Sequence, residues 1–547
     1  MMNAQRWIIL LVSGLLVSGF IVKNANAQGQ SVVDTPHNLS AGGPGLLRAT
    51  TEEQVCIFCH TPHNSAPIEP LWNRYMPVAA YSVYTSNALD ANPGQPTGSS
   101  KLCLSCHDGT IAVGSVISRD QIIQMAGGIT TLPPGSSNLG TDLADDHPIS
   151  FPYDAMLTSK DPHLLDPTQL PAEIKLDANR ELQCTTCHDA HDNAFGQFLV
   201  VSNDNSGLCR SCHQISTTTI TPHQDCRSCH QTHTAPSGPY LLKGDRITTA
   251  CLTCHDGSYM MAPNIGSDLM KFSIHDTNSP VDPTDPIPNN VTCADCHDPH
   301  TMTSGSVSAP AIHPNFGQID GINASGAPVS PASSQYEVCF TCHGDVTAIT
   351  SSYIPRQITQ TNTRLEFALS AVSSHPVIGP GQNPDVPSLK PGWSESSVIY
   401  CSDCHGSDSS GHNGGSGPDG VHGSDEAPVL VARYETADNT TESAAAYALC
   451  YQCHWRDGSD GILSDRTFPH SEHLSEDVSC SACHDAHGIS SSQGNFINNA
   501  HLINFDTSIV FPDPDTGFLR YESLGQFSGQ CYLTCHGEDH SPKQYPD

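Results

Sequence analysis

Twenty-four cysteines fall into twelve pairs, and each pair runs directly into a histidine. Eleven pairs are Cys-x-x-Cys-His: Cys56/Cys59/His60, Cys103/Cys106/His107, Cys184/Cys187/His188, Cys209/Cys212/His213, Cys226/Cys229/His230, Cys251/Cys254/His255, Cys293/Cys296/His297, Cys339/Cys342/His343, Cys401/Cys404/His405, Cys450/Cys453/His454 and Cys480/Cys483/His484. The twelfth, Cys531/Cys535/His536, is longer by one residue, so its loop must bulge to span the same reach. Two thiols two residues apart fit a single turn of chain. Each S–H can then add across one vinyl C=C of the same haem, and the next residue lies beneath the iron as its proximal ligand. Zinc sites and thiol redox pairs also use CxxC, but they leave the following residue open. Histidine in all twelve positions selects covalent haem c, in twelve copies.

Thirty histidines are present; twelve are proximal, and eighteen remain for the opposite faces of the irons. Only nine methionines compete, two of them at the start of the chain. Histidine is therefore the natural sixth ligand, which makes the haems six-coordinate, low-spin and suited to carrying electrons. Five free histidines lie three residues past a proximal one: His63, His191, His233, His300 and His487. The proximal residue occupies its own haem, so each of these is expected to reach a neighbouring haem. Seven further ligands are expected from His147, His275, His375, His473, His37, His422 and His501. His223, His313, His470 and His412 compete for those places, while His163 and His540 read as solvent-exposed. No catalytic residue stands out. An enzyme would need an open iron, often signalled by CxxCK or a shortage of distal ligands, and neither is present. The alternative is a multihaem reductase acting on nitrite, hydroxylamine or a sulfur oxyanion.

The elements that must hold these groups are poor in ordinary core material. Hydrophobic residues make up 37% of the chain and charged ones 14%, with 43 Gly and 41 Pro. Side chains alone offset the entropy of ordering such a chain poorly. From Gln28 onward there are about 43 residues per haem. The expected fold is thus a multihaem cytochrome c, mostly coil, with short helices wrapped around a stacked haem chain and little β. The motifs divide into three sets of four, whose third members read CTTCHDAH, CADCHDPH and CSACHDAH. The units are placed at 28–216, 217–350 and 351–547, and they need not be independent globules. Small strands or loose loops are expected between His107 and Cys184 and in the Gly/Ser-rich run 406–420.

Arg6, an apolar run from about Ile8 to Val22 and Ala25-Asn26-Ala27 have the layout of a secretory signal peptide spanning 1–27. The run is short for a membrane span, which needs about 20 residues. No other segment is apolar enough to cross a bilayer and the signal lacks a lipobox cysteine, so neither a membrane span nor a lipid anchor is expected after signal removal. With 22 Lys+Arg against 56 Asp+Glu the surface is acidic, the wrong sign for nucleic acid.

HNLSAGGPG (37–45), CIFCHTPHN (56–64), CLSCHDGT (103–110), DDHPISF (145–151) and HLINFD (501–506) resemble the doubled-CxxCH multihaem cytochromes of metal-reducing bacteria. The resemblance covers nearly the whole chain after residue 27, and the stretched last motif departs from it. It implies a periplasmic or outer-surface electron carrier with bis-histidine haems at His63, His191, His300 and His487. It also implies redox proteins or extracellular electron acceptors as partners. Some members polymerise, so head-to-tail self-association into a conductive filament is a further expectation.

Overall fold

The computed structural model describes residues 31–545 apart from 64, 67–70, 216–217, 219, 221–222, 237–238, 278–290, 346–353, 384 and 465–467. The expected signal peptide lies outside the described residues.

Eleven of the twelve motifs fold as one tight turn that sets the histidine back over its first cysteine. In eight of them, those ending in His60, His188, His213, His230, His297, His405, His454 and His484, the histidine N–H donates to the first cysteine's carbonyl at 2.8–3.1 Å. The other three close α-helices: α1 Gly98–His107, α2 Ile247–His255 and α3 Gln335–His343. A capping box of Ser334 and Glu337 satisfies the first N–H groups of α3, so this helix starts sharply despite its short length.

A second local device recurs behind the turns. The chain returns past the proximal histidine and bridges it with an apolar residue: Trp72 on His60, Leu199 on His188, Leu242 on His230, Leu430 on His405 and Ile503 on His484. Each residue just before the bridge has a left-handed backbone: Leu71 (φ 69°), Phe198 (59°), Leu241 (52°), Val429 (51°) and Leu502 (62°). Such a conformation costs a side-chain-bearing residue about 1–3 kcal/mol. Here it turns a carbonyl toward the imidazole, and the same cost is accepted at five sites for the same result.

The rest of the chain is coil with two-residue strand pairs. The stretch after His107 carries Asp142–Leu143, Phe151–Pro152 closing on Glu181–Leu182, and a helix Ala155–Lys160 capped by Asp154. In the 406–420 run, Ser407 and Ser410 are buried, and Lys271 is anchored on Ser407, Asp408 and Ser409. Ser273–Ile274 pairs with Gly423–Ser424, about 150 residues further along the chain. Gly423 is required there, since a Cβ would stand 2.0 Å from the Asp268 carbonyl oxygen.

Among the described residues one sheet has more than two strands, and it lies in 510–545. Strand β3 (Ser528–Cys535) is central, with β4 (Glu538–Tyr545) on one edge and β1 (Val510–Phe511) and β2 (Arg520–Gly525) end to end on the other, all antiparallel. Its packed face joins Val478, Phe505, Ile509, Val510, Tyr521, Leu533 and Tyr545 in the largest apolar cluster. Elsewhere the apolar clusters are small and separate. The accessible surface is 30265 Å², roughly 1.6 times that of a compact monomer of the same mass. Part of the excess is internal. A single cavity of about 3570 Å³ runs past all eight motifs from Cys226 to His536, where an ordinary ligand pocket occupies about 300–1,000 Å³. From the fifth motif onward the polypeptide forms a wall around this cavity.

Candidate haem sites along the chain

Ten motif histidines face a second imidazole at a nearly constant distance. The pairs are His60–His191 (6.0 Å between ring centres), His107–His37 (6.1), His188–His233 (6.3), His213–His147 (6.3) and His230–His300 (6.2). They continue with His255–His223 (6.1), His297–His422 (6.3), His343–His275 (6.4), His405–His487 (6.0) and His484–His470 (6.4). Two imidazoles on opposite faces of one metal, each bonded at about 2.0–2.1 Å with its ring centre roughly 1.1 Å behind the ligating nitrogen, lie about 6.3 Å apart. The residues therefore fit a haem iron between each pair. His375 stands beside His454, near enough to help lower its pKa.

The second nitrogen of these rings is occupied in a way that orients the first. The Nδ1 of His188, His230, His405 and His484 meets the carbonyl of Gln197, Tyr240, Pro428 and His501, each turned inward by the left-handed return. His37, His147, His275 and His375 use Ala190, Pro148, Val421 and Ala486. His233 uses the Asp146 carboxylate. Such outer partners hold the tautomer that leaves Nε2 for the metal. Burial pushes His147, His405, His422, His454 and His484 down to about 4, so these rings are neutral, as ligation requires. Burial also pushes the Cys59, Cys187, Cys296 and Cys404 thiols up to about 12, the opposite of what a redox-active thiol pair needs.

Neighbouring motifs lie near one another in sequence order through alternate cysteines. First cysteines meet at Cys103–Cys184, Cys209–Cys226, Cys251–Cys293 and Cys339–Cys401, and Cys450 lies near Cys480. Second cysteines lie near each other at Cys59–Cys106, Cys187–Cys212, Cys229–Cys254, Cys296–Cys342 and Cys404–Cys453, and Cys483 lies near Cys531 and Cys535. The alternation links the twelve motifs into one line. The pairs also join distant stretches of chain: His233 faces His188, and His422 faces His297.

Several expected ligands are placed differently. The second histidines His191, His233, His300 and His487 each face the proximal histidine two motifs earlier. His63 has no motif two places before it, and it is exposed, with no imidazole opposite it among the described residues. His501 adopts φ 60° and caps His484 with its carbonyl, so its backbone serves the site while its ring rests against Tyr521. His473 faces His540, which is buried rather than exposed. His223 and His470, left among the competitors, take the faces opposite His255 and His484. His223 lies only three residues before Cys226, which brings it to the junction with the sixth motif; nothing comparable marks His470. Of the remaining competitors, His313 hydrogen-bonds Asn315, and His412 stands 3.8 Å from Asp403.

The last motif does not make the tight turn. Cys531, Leu533 and Cys535 alternate along β3, and His536 leaves the strand with φ 51° and its Nε2 on Asp438 at 2.8 Å. Two buried guanidinium groups flank the line near its ends. Arg74 donates to Ser105, Ala112 and Val113 beside Cys59 and Cys106, and Arg356 donates to the carbonyls of Ser481, Asn504 and His484 beside Cys483.

Paired thiols on tight turns, facing neutral imidazoles and a coil wrapper around an internal line of sites define a multihaem c-type cytochrome, an electron-transfer protein with covalent haem. The family model of the doubled CXXCH motif matches residues 178–216 and 222–259, which hold the third to sixth motifs. No curated protein matches the chain. Among the described residues no helix is long and apolar enough to cross a membrane.

Proposed function

We propose that the chain carries twelve haems and conducts electrons along them from the first motif to the last, as an exported carrier that works outside the cell. The observation that carries this reading is the unbroken alternation of neighbouring cysteines from Cys59 to Cys535, with a facing histidine at ten of the sites and His375 near His454 at another. Sites in such close succession suit transfer through the molecule rather than chemistry at one of them, so no substrate-converting centre is assigned. Partners are redox proteins or extracellular acceptors that meet an end of the line.

Head-to-tail self-association extends the line beyond one subunit. His63 supports it, as an exposed histidine beside the first motif with no imidazole opposite it among the described residues, free to contact an adjoining subunit. So do the exposed Leu71, Tyr75 and Val78 that follow the first motif, since clustered exposed apolar residues mark association surfaces. A contact of one end with the other is heterologous and propagates as a filament. Electron microscopy of the purified native protein tests this: filaments of repeating subunits are expected, and dispersed single subunits under all conditions would refute it. The reductase reading rests on the twelfth site, where Asp438 holds His536. Nitrite or cyanide binding to the resting protein would favour that reading, and an inert, fully low-spin protein would refute it.

A further inference from the structure

We infer that the iron of the twelfth haem lies between His473 and His540, with His536 outside its coordination. The inference rests on the twelve-haem reading and assigns the ligands of its least regular member. Apart from the ten motif pairs, one His–His pair among the described residues falls at the same spacing, and it is His473–His540 at 6.1 Å. Both rings are oriented as the other ligands are. His473 Nδ1 meets the Pro469 carbonyl at 2.9 Å, and His540 Nδ1 meets the Tyr545 hydroxyl at 3.1 Å. Each Nε2 is therefore left for a metal. His536 is arranged the other way, with Nε2 taken by Asp438.

The sheet explains how His540 comes to the site. It stands directly opposite Leu533 in the pairing of β3 with β4, and opposed residues share a face. Side chains alternate along a strand, so Cys531, Leu533 and Cys535 share that face too. His540 thus projects between the levels of the two cysteines. All four residues and His473 line the large cavity. Phe468 stacks on His473 at 4.9 Å, and Tyr545 closes the other side, which makes the surroundings apolar. The extra residue in Cys-x-x-x-Cys follows from the strand. The motif abandons the turn that places a neighbouring histidine under the iron, and the adjacent strand supplies one instead.

Three variants of the full-length protein test the assignment: His540→Ala, His473→Ala and His536→Ala, with intact mass and electron paramagnetic resonance as readouts. Wild type at twelve haems is required first; eleven haems with Cys531 and Cys535 unmodified would remove the site itself and overturn the inference with the twelve-haem reading. With twelve present, His540→Ala and His473→Ala should each turn one haem in twelve high-spin without loss of haem mass. Added imidazole should restore the low-spin signal by filling the vacated position. A low-spin spectrum unchanged by His540→Ala would overturn the assignment while leaving twelve haems intact. So would a high-spin haem produced by His536→Ala at full haem mass.

Discussion

Replacing His223 with alanine is the sharpest check on the ligand pairs. The sequence left His223 and His313 as equal competitors, whereas the structure sets the His223 ring 6.1 Å from His255 and turns His313 to Asn315. Because the spacing matches two imidazoles sharing one metal, losing His223 should leave the sixth haem with His255 alone. Covalent attachment depends on Cys251 and Cys254, so the haem stays and mass changes only by the side chain. One site in twelve is about 8% of the haem, well within reach of electron paramagnetic resonance on the oxidised protein. Carbon monoxide titration of the reduced protein should find one binding equivalent per chain where the wild type has none, since only an open iron accepts it. His313→Ala should leave both measurements at wild-type values. The reasoning fails if His223→Ala stays fully low-spin, or if His313→Ala opens the site instead.

His470→Ala should open the eleventh haem in the same way, and His501→Ala should not, because its carbonyl rather than its ring serves His484. Cys531→Ser with Cys535→Ser should lower intact mass by one haem and leave eleven low-spin sites. Arg74→Gln removes a buried positive charge beside the first two haems. Their potentials should fall by on the order of 60 mV, the effect of a unit charge at roughly 12 Å in an effective dielectric of 20, read by spectroelectrochemistry. His63→Ala should leave every haem of the dispersed subunit low-spin while raising the protein concentration needed for filaments about tenfold, a loss of ~1.4 kcal/mol per contact; an unchanged threshold would remove His63 from the junction.

The cofactor and its anchor positions were legible in the sequence because they are local. Two thiols and a histidine within five residues need only one turn of backbone to meet one haem, and eleven motifs make that turn. Composition raised the expectation of histidine as second ligand, and ten motif histidines do have a second imidazole opposite them. A coil-rich wrapper was also legible, since too few apolar residues were present for any other core. Which histidine serves which iron is a different kind of question. His422 reaches His297 only because Gly423 lets its segment close against Asp268, more than a hundred residues away. The regular step from a second histidine to the proximal one two motifs earlier exists only once the motifs stand in line. His501 shows the limit clearly. Its position in HLINFD suggests a ligand, yet a left-handed backbone turns its carbonyl, not its ring, to the site. The strand at Cys531 shows it again, since pairing with β2 and β4 overrode the turn that the same residue types make elsewhere. Spacing along the chain decides what is built within one turn, and long-range pairing decides everything that must arrive from another part of the molecule.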